Sequence, residues 1–581
     1  MGDASSDVRW FRAPLSTIGA GSGDELVVHL HGTASARLWN SRVFSFAHDC
    51  VGCKTLADHS VALSLSRAIP MNEAVALVEL FSNAGVLRPF VVPSAVPHNG
   101  KIDVVAVTTC DRSEYLSVCL ESIAKQVRHF GRRCIVLVID GSRLRKGRAA
   151  NRRIVASMRA TLSCQYFGPR EIARVAAELS TRAGTDLRWA LKGGSVGANR
   201  NVATLLAAGR DLLMVDDDIV LSPWTLAEPT GIKVVGHRDG RVSHFCRSRS
   251  ELFGLVRWSP VDLLSAHETL LGSSLDAVCS GGADTSEACS DILGAVCDGA
   301  QPEIVATQAG ILGDPGLYCP YQLLLGKNAT SDKLLHDEAQ LDAALRFRCA
   351  VRAAETTIVS HEISLMTYCT GLSNRRPRVP FMPLGRNEDG TFGTMSSFVN
   401  SNAMVGHLAF GVVHDSGRSF LRDDSPMVSA RQTRISEVLT ALTQFVSASS
   451  KHLSGEDERR LALAATLEEW GQLDRGAFWR SVGELMITVR SRQLASLDLR
   501  QRGSSHRAKK EIASYRSAIA TTMSTDGFAI PSELVEREAS TSATQEYLVA
   551  CGGLLRVWPF VWRESARLSW LDTRALSASS N

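Results

Sequence analysis

The sequence predicts an α/β protein whose main domain is a doubly wound, mostly parallel sheet. Between residues 101 and 223, three apolar runs typical of strands buried on both faces alternate with helical patterns. The three runs end in the polar segments TTCDR, DGS and DDD. Ligands of open α/β sheets bind at the carboxyl ends of the strands, so we expect these polar ends to converge in one crevice.

Each element of this alternation follows from a local pattern. IDVVAVTTC is the first strand, and SEYLSVCLESIAKQ is a helix with Leu116, Leu120 and Ile123 on one face. CIVLVIDGS is the second strand. GANRNVATLLAAGR is a helix that ends at Gly209, and DLLMVDDD is the third strand.

Composition divides the 581 residues into five segments. The polar, Gly/Ser-rich residues 1–22 predict a flexible tail. A strand followed by helices predicts a small separate domain over residues 23–90. The proline-rich residues 91–100 predict a linker to the α/β domain of residues 101–425. Residues 432–581 carry helical patterns and predict an α-helical C-terminal region.

Helix boundaries in the flanking regions have their own signals. Thr55 is expected to cap the first helix of the small domain. Val75, Val78 and Leu80 are expected to form the buried face of the next helix, which Gly85 ends. Near the end of the chain, the Trp-rich segment RVWPFVWRESARLSW predicts a helix packed on the α/β domain.

Composition also excludes several classes of protein. The formal net charge of +4 is small for this length and disfavours a nucleic-acid partner. No run of about 18 uninterrupted apolar residues is present, so a membrane-spanning helix is not expected. The first residues lack the features of a signal peptide, and 14 scattered cysteines fit a reducing compartment. These features predict a cytoplasmic protein.

Three consecutive carboxylates, Asp216, Asp217 and Asp218, end the third strand. Burying them unpaired is costly, so a cationic partner is expected. In a strand, Asp216 and Asp218 point to one side, where they suit a hard divalent ion that bridges to phosphate. Asp217 points to the other side, where it is expected to contact the ligand or cap the following turn.

The order of motifs over residues 101–223 resembles the nucleotide-sugar half of GT-A glycosyltransferases, in particular the large family 2 type. The shared order is a strand, a turn with Thr and Arg, a helix with L-x-S, a strand ending in Asp-Gly-Ser, a G-x-N-R-N segment and the DxD run. The resemblance implies a GT-A doubly wound mixed sheet. It also implies a nucleotide-diphosphate sugar as donor, with a UDP-sugar expected, and Mn²⁺ or Mg²⁺ as cofactor.

The resemblance also implies roles for single residues. Thr109 and Asp111 would lie near the donor nucleobase, and Asp140 would contact the base or the ribose. Asp111 stands where the family often has Asn, which leaves the nucleobase open. The residues expected to bind the donor are Thr109, Asp111, Asp140, Asn199, Arg200 and Asp217, and those expected to hold the metal are Asp216, Asp218 and His414.

Glu388 and Asp389, in PLGRNEDGTFG, resemble the acceptor-side ED motif of the same enzymes. There a carboxylate acts as general base on the acceptor, which suits an inverting displacement. We favour Asp389 as the base and keep Glu388 as the alternative. An exposed acidic turn is the structural explanation that competes with this one. Arg386 is expected to orient the loop or to pair with either carboxylate.

Further positions follow along the chain. By the same resemblance, His414 would complete the metal shell, whereas His407 is expected to serve packing. Asp314 and Tyr318 are expected to line the acceptor site.

The order of elements in residues 24–90 resembles PqqD-like winged-helix modules. These modules recognise leader segments of precursor peptides by adding the leader to a sheet as an extra strand. The structural alternative is a small domain that only packs on the enzyme. DNA binding is disfavoured, because NEAVALVELFSNAG offers no Arg or Lys for a groove.

The sequence therefore predicts a metal-dependent glycosyltransferase that moves a sugar to a hydroxyl or thiol. The acceptor is a peptide, a saccharide or a small natural product, and a role in natural product biosynthesis is expected. One rival is a nucleotidyltransferase, which normally has a Gly-rich loop with Arg or Lys after its first strand; TTCDRSEYL is not such a loop. The other rival is a non-catalytic nucleotide-sugar-binding scaffold on the same fold.

Overall fold

The chain is a mixed α/β protein with one large mixed sheet and many helices. The computed structural model describes the following residues: 8–20, 24–30, 36–91, 100–236, 241–317, 319–363, 365–422, 425–430, 433–531, 533 and 540–573. Most of the expected linker (residues 92–99) and Tyr318 lie outside the described residues.

The N-terminal part contains two small antiparallel sheets and three helices among its described residues. The strands are β1 (Trp10–Arg12), β2 (Leu15–Ala20), β3 (Glu25–Leu30), β4 (Ala36–Asn40), β5 (Cys53–Lys54) and β6 (Leu87–Pro89). The helices are α1 (Ser41–Ala47), α2 (Leu56–Arg67) and α3 (Met71–Asn83). The sheet orders are β2-β3-β4 and β5-β1-β6.

The flexible tail expected over residues 1–22 is wrong where the structure describes it, because β1 and β2 lie there. A buried aromatic side chain explains why this segment forms regular structure. Phe11 is fully buried and packs in a cluster with Val234 and Leu270 of the main domain. The N-terminal strand is therefore held by burial against the rest of the molecule.

The helix boundaries predicted in this part are confirmed, but one helix face is not. Thr55 caps α2 by accepting a hydrogen bond from the Asp58 backbone, and Gly85 has a φ of +77° just after α3. Val78 is buried as expected, whereas Val75 and Leu80 are exposed. The buried face instead uses Ala74, Val78 and Phe81, because the aromatic ring packs on Trp39.

The main sheet is built from strands of both directions. Its strands are β7 (Ile102–Thr109), β8 (Ile135–Asp140), β9 (Ser163–Phe167), β10 (Asp211–Asp216), β11 (Ile219–Thr225), β12 (Ile232–Val235), β13 (Val242–Phe245), β14 (Arg257–Trp258), β15 (Asp284–Glu287), β16 (Glu303–Gly313), β17 (Ala350–Ala353), β18 (Thr357–Ser360), β19 (Cys369–Leu372) and β20 (Ala403–His414). The order along the sheet is β15-β12-β18-β20-β16-β19-β10-β7-β8-β9.

The helices of the main domain connect and cover these strands. They are α4 (Ser113–His129), α5 (Arg145–Met158), α6 (Pro169–Ala183), α7 (Arg188–Leu191), α8 (Val196–Leu206), α9 (Arg249–Gly254), α10 (Leu263–Glu268), α11 (Leu275–Ser280), α12 (Ser290–Cys297), a 3₁₀ helix (Pro320–Leu325), α13 (Ala329–His336), α14 (Glu338–Arg346) and α15 (Glu388–Val399). The C-terminal helices are α16 (Pro426–Ala430), α17 (Ile435–Ser449), α18 (Glu456–Gln472), α19 (Arg475–Gln501), α20 (His506–Met523) and α21 (Ser540–Arg567).

The three strands predicted from the sequence are confirmed as the parallel neighbours β10, β7 and β8. Both faces of this part of the sheet are covered by packed side chains. Val104 and Ala106 of β7 pack in one core, while Val105 and Val107 pack in another on the opposite face. The expectation of a mostly parallel sheet holds only for this half, since β19 runs antiparallel to both β10 and β16.

The C-terminal helices pack on the main domain as expected. Trp558 of α21 is buried in the same core as β7 and α8, and Trp562 donates a hydrogen bond through Nε1 to Asn374 Oδ1 at 2.9 Å. Among the helices that the structure describes, none combines the length and the apolar character needed to cross a bilayer.

Candidate active site

The ends of β7, β10 and β20 meet at a cavity of about 920 Å³. Strand pairing explains the convergence. Asp216, the last residue of β10, pairs with Thr108 of β7, and His414, the last residue of β20, pairs with Ile219 just beyond the DDD run. The crevice predicted at the strand ends is therefore present. The predicted site residues that line it are Thr109, Asn199, Arg200, Asp216, Asp217, Asp218, Glu388, Asp389 and His414.

Asp216 is bound by a buried arginine. Arg200 Nη2 lies 3.1 Å and 3.4 Å from the two carboxylate oxygens, and the Thr108 hydroxyl donates to Oδ1 at 3.2 Å. The Arg200 side chain is 4% exposed and its other terminal nitrogen donates to Glu388. Arg200 therefore links the strand-end carboxylates to the Glu388–Asp389 segment.

Asp217 points toward β7 and its following turn. It accepts hydrogen bonds from the Thr109 hydroxyl at 2.7 Å and from Arg112 at 3.1 Å. Burial, only partly offset by these two groups, raises the pKa of Asp217 to about 7. Asp217 and Thr109 therefore bind each other.

Asp218 lies between an arginine and a histidine. Its Oδ2 is 2.8 Å from Arg112 Nη1 and 3.2 Å from His414 Nε2. Although burial opposes both charges, this pairing lowers the pKa of Asp218 to about 2 and raises the pKa of His414 to about 9. His414 Nδ1 lies 2.5 Å from the Asp314 carbonyl oxygen, which orients the ring.

The cost of burying three adjacent carboxylates is thus offset by Arg112, Arg200 and His414. Sequence reasoning misses Arg112, although it follows Asp111 in the polar turn after β7. A signal for Arg112 is nevertheless present, because buried carboxylates require a cationic partner. Arg112 closely follows the end of the first predicted strand.

Asp111 and Asp140 do not line the cavity, contrary to expectation. Asp111 has a φ of +55° and accepts hydrogen bonds from the backbone of Arg143 and Leu144 at 3.1 Å each. Asp140 is fully buried and accepts from the Ser142 backbone and the Tyr166 hydroxyl. Both carboxylates shape the loop after β8, which brings Arg143 to the cavity.

Asn199 lies on the first turn of α8, which Ser195 caps. Asn199 is 3% exposed, and within the described residues its Oδ1 has no hydrogen-bond partner. A Cβ at Gly141 would lie 2.6 Å from Asn199 Nδ2, so only glycine permits this approach of the β8 loop. The amide is therefore held at the cavity wall with an acceptor oxygen unused.

Glu388 and Asp389 begin α15 but differ in their surroundings. Glu388 is buried on Arg200, and burial raises its pKa. Asp389 is partly exposed and accepts hydrogen bonds from the backbone of Thr367 at 3.3 Å and Gly390 at 2.8 Å. The hydroxyl of Thr367, also at the cavity, has no partner among the described residues. Asp389 is thus the more accessible carboxylate of the two.

The predicted metal ligands fit a divalent ion only in part. No group of three or more His, Cys, Asp or Glu is arranged around a common point within the described ranges. Asp218 Oδ1 nevertheless has no partner there, and His414 Nδ1 contacts a carbonyl, as in metal-bound histidines. His414 Nε2 lies on the other carboxylate oxygen, Oδ2, and would have to lose its proton to bind an ion. Two protein donors suffice where water and phosphate oxygens complete the shell. Asp218 and His414 fit an ion, whereas Asp216 is bound to Arg200.

Comparison with known proteins adds little. No family model matches the chain, and no curated protein matches it. Among solved structures, the chain is similar to a mannosyltransferase from Pyrobaculum calidifontis in complex with GDP-Man and Mn²⁺. The match has 12% identity and a TM-score of 0.29, and covers 87% of this chain and 99% of that chain. The site is therefore interpreted from its own geometry.

Proposed function

We propose that the protein is a metal-dependent glycosyltransferase that moves a sugar from a nucleotide diphosphate to a hydroxyl or thiol. One observation carries the proposal. A single cavity holds a buried carboxylate–arginine–histidine network at the sheet edge together with a separate, accessible carboxylate, Asp389. The first group suits a charged leaving diphosphate, and the second suits a general base.

In this proposal the donor binds where α8 and the β8 loop border the cavity. The Asn199 Oδ1 atom and the Arg143 side chain are available to the nucleotide. Asp218 and His414 would hold Mn²⁺ or Mg²⁺, and the ion supplies Lewis-acid stabilisation of the departing diphosphate. A UDP-sugar stays the expected donor.

Asp389 accepts the proton of the acceptor nucleophile. The nucleophile forms a bond to the anomeric carbon as the bond from that carbon to the diphosphate oxygen breaks, and the electron pair leaves with the diphosphate. Attack opposite the leaving group inverts the configuration. Glu388 acts as a positioning residue, since it holds Arg200, which in turn holds Asp216.

Two rivals are disfavoured by particular residues. In a nucleotidyltransferase, the cation after the first strand would be free to bind phosphate, whereas Arg112 is paired with Asp217 and Asp218. A non-catalytic scaffold would not need an accessible carboxylate at Asp389.

We also propose that the N-terminal part serves acceptor recognition, with a peptide as one acceptor class. The three-stranded sheet β2-β3-β4 followed by α1, α2 and α3 supports this, since strand addition to such a sheet is one way to bind a peptide. We propose that this domain also includes the strands β1 and β2, which precede residue 23.

The proposed function is tested by thermal unfolding with a panel of nucleoside diphosphates, with and without Mn²⁺. A ligand at a hundredfold excess over its Kd stabilises the native state by about 2.7 kcal/mol. We expect a metal-dependent shift with one nucleotide. The shift is lost in Asp218→Ala and kept in the control Asp526→Ala, which is exposed in the turn after α20. No shift with any nucleotide would leave the donor site unsupported.

A further inference from the structure

A second cavity, of about 440 Å³, lies between α15, α18, α21 and the main sheet. No described residue lines both this cavity and the candidate active site. Its wall is mostly apolar, with side chains from β16, β19, α15 and the segment before β19: Val305, Ile363, Leu365, Leu372, Phe392 and Val399. Small-molecule sites are typically cavities of about 300–1,000 Å³ with apolar walls and a few polar groups. The size and the wall of this cavity therefore fit a largely apolar small molecule.

The rim of the cavity is fixed where α18 meets α21. Pro559 lies inside α21 and has no N–H for the carbonyl of Leu555, one turn earlier. Arg460 of α18 donates to this carbonyl through Nη1 at 2.7 Å. Arg460 and Pro559 both line the cavity, so its two helices are held together at this point by the protein itself.

The acidic groups at the cavity are already paired. Glu456 lies 3.1 Å from Arg376, and Asp457 lies 2.7 Å from Arg460. No further acidic residue lines the cavity among the described residues. A cationic ligand would therefore find no carboxylate without a partner.

Four arginines line the cavity, whereas three carboxylates neutralise them, those of the two acids just named and of Glu303. Arg376 and Arg378 each lie 2.6 Å from Glu303. The fourth arginine, Arg563 of α21, is exposed, and no polar group among the described residues binds its guanidinium. One positive charge is therefore left over beside an apolar cavity.

We propose that this cavity is a second binding site, for an amphiphilic monocarboxylate. The apolar part of the ligand fills the cavity, and its carboxylate pairs with the Arg563 guanidinium at the rim. A carboxylate carries one negative charge and matches Arg563, whereas a phosphate ester carries about 1.5 to 2. The inference does not rest on the proposed glycosyltransferase function.

The test uses three probes with the same unbranched alkyl chain and different head groups: octanoate, octanol and octylamine. Their dissociation constants for the full-length protein are measured by calorimetry, below the concentrations at which the probes form micelles. We expect all three to bind, because each buries the chain. Octanoate should bind about fivefold more tightly than octanol, the effect of one exposed ion pair, and octylamine should bind most weakly.

Substitution of Arg563 tests the head-group contact. Arg563→Gln should bind octanoate and octanol alike, because the amide keeps hydrogen-bond donors but carries no charge. Its octanol binding should stay at the wild-type value. Arg492→Gln is the matched control, since Arg492 is exposed on α19 and lines neither cavity. This control should keep the preference for octanoate.

Substitution of the wall tests the apolar contact. Val399 is 8% exposed and lines the cavity from α15, so the ring of Val399→Phe should occupy part of the space. Exclusion of about two CH₂ groups of the chain should weaken all three probes by about tenfold. Ala403→Leu fills the cavity from β20 and takes the place of Val399→Phe if that variant does not fold.

Several results would overturn the inference. It is wrong if no probe binds, or if octanoate and octanol bind alike to the wild type. It is also wrong if Arg563→Gln keeps the preference for octanoate, or if the folded cavity-filling variant binds all three probes like the wild type.

Discussion

The proposed function gives the neighbours Asp389 and Glu388 different roles, and substitution separates them. Asp389→Asn keeps one acceptor oxygen, for either the Thr367 or the Gly390 backbone N–H, and removes the proposed base. We expect transfer to fall by about 10²–10⁴-fold, the usual contribution of a general base. The nucleotide-dependent thermal shift should stay at its wild-type value. Normal turnover in Asp389→Asn would favour Glu388 or another base.

Arg112 compensates two carboxylates at once, which makes it a stability determinant. Its side chain is 33% exposed, so Arg112→Gln should cost less than a fully buried pair, about 2 kcal/mol. Above pH 7, where Asp217 is charged in the wild type, Asp217→Asn in the same chain should recover part of this loss, because the amide needs no cationic partner. Urea unfolding of the two single variants and the double variant measures the coupling. Strict additivity would show that the contact carries no energy.

At the scale of residues, the place of a side chain in the fold is easier to predict from sequence than the group that it binds. Asp216 and His414 end strands, and Asp218 lies in the short turn that follows Asp216. Strand ends converge in any doubly wound sheet, so the meeting of these residues is predictable from local patterns. The pairing of Arg112 with Asp217 joins residues 105 positions apart, and no local pattern encodes it. The same reason explains why Asp111 and Asp140 do not line the cavity: their carboxylates accept hydrogen bonds from neighbouring parts of the chain, which no local pattern predicts.

At the scale of elements, α10 introduces a pH dependence through His267. The ring is fully buried, with Nδ1 2.8 Å from the Thr307 hydroxyl, and burial lowers its pKa to about 3. Between pH 6.5 and 3 the unfolded chain therefore binds a proton that the native state does not bind. The free energy of unfolding should fall by about 1.4 kcal/mol per pH unit as the pH drops through this window.

His267→Gln removes this titration while keeping a polar group for Thr307. Urea unfolding of the wild type and the variant at pH 7, 6 and 5 measures the difference. The variant should lose less stability toward pH 5 than the wild type. Parallel curves would show that His267 titrates alike in both states.

The elements that sequence patterns predict are those with a single strong signal. β7, β8 and β10 are continuous apolar runs, and α17 to α19 have clear helical patterns. Strand direction has no such signal, because a strand buried on both faces has the same apolar pattern in either orientation. The antiparallel insertion of β19 beside β10 is therefore not predictable from its residues.

One contact shows how a C-terminal helix supports the site. Asn374 donates through Nδ2 to the carbonyls of Thr204 and Ala207 at the end of α8, and Trp562 of α21 donates to its Oδ1. Trp562→Phe removes this last bond and should cost about 1 kcal/mol in unfolding free energy. A weaker nucleotide-dependent thermal shift should accompany it, because α8 carries Asn199 and Arg200. If nucleotide binding is unchanged, the contact contributes to the free energy of unfolding and not to the candidate site.

At the scale of the whole molecule, the helical C-terminal region and the α/β domain share one core. Trp558 is 1% exposed and packs in the cluster that contains Val104 of β7 and Val202 of α8. A shared core predicts that residues 100–573 unfold as one cooperative unit, although their sequence patterns change near residue 432. The boundary that composition suggests is then a change of secondary structure within a single folding unit.

Trp558→Ala tests this cooperativity. Loss of the buried ring should cost about 3–5 kcal/mol and lower the main calorimetric transition as a whole. Nucleotide binding should disappear at the same temperature as helical circular dichroism. Phe560→Ala, two residues away on α21 and 42% exposed, is the matched control and should shift the transition far less. The helices could instead melt in an early, separate transition while nucleotide binding persists. In that case the C-terminal region folds independently, and Trp558 packs at an interface between two folding units.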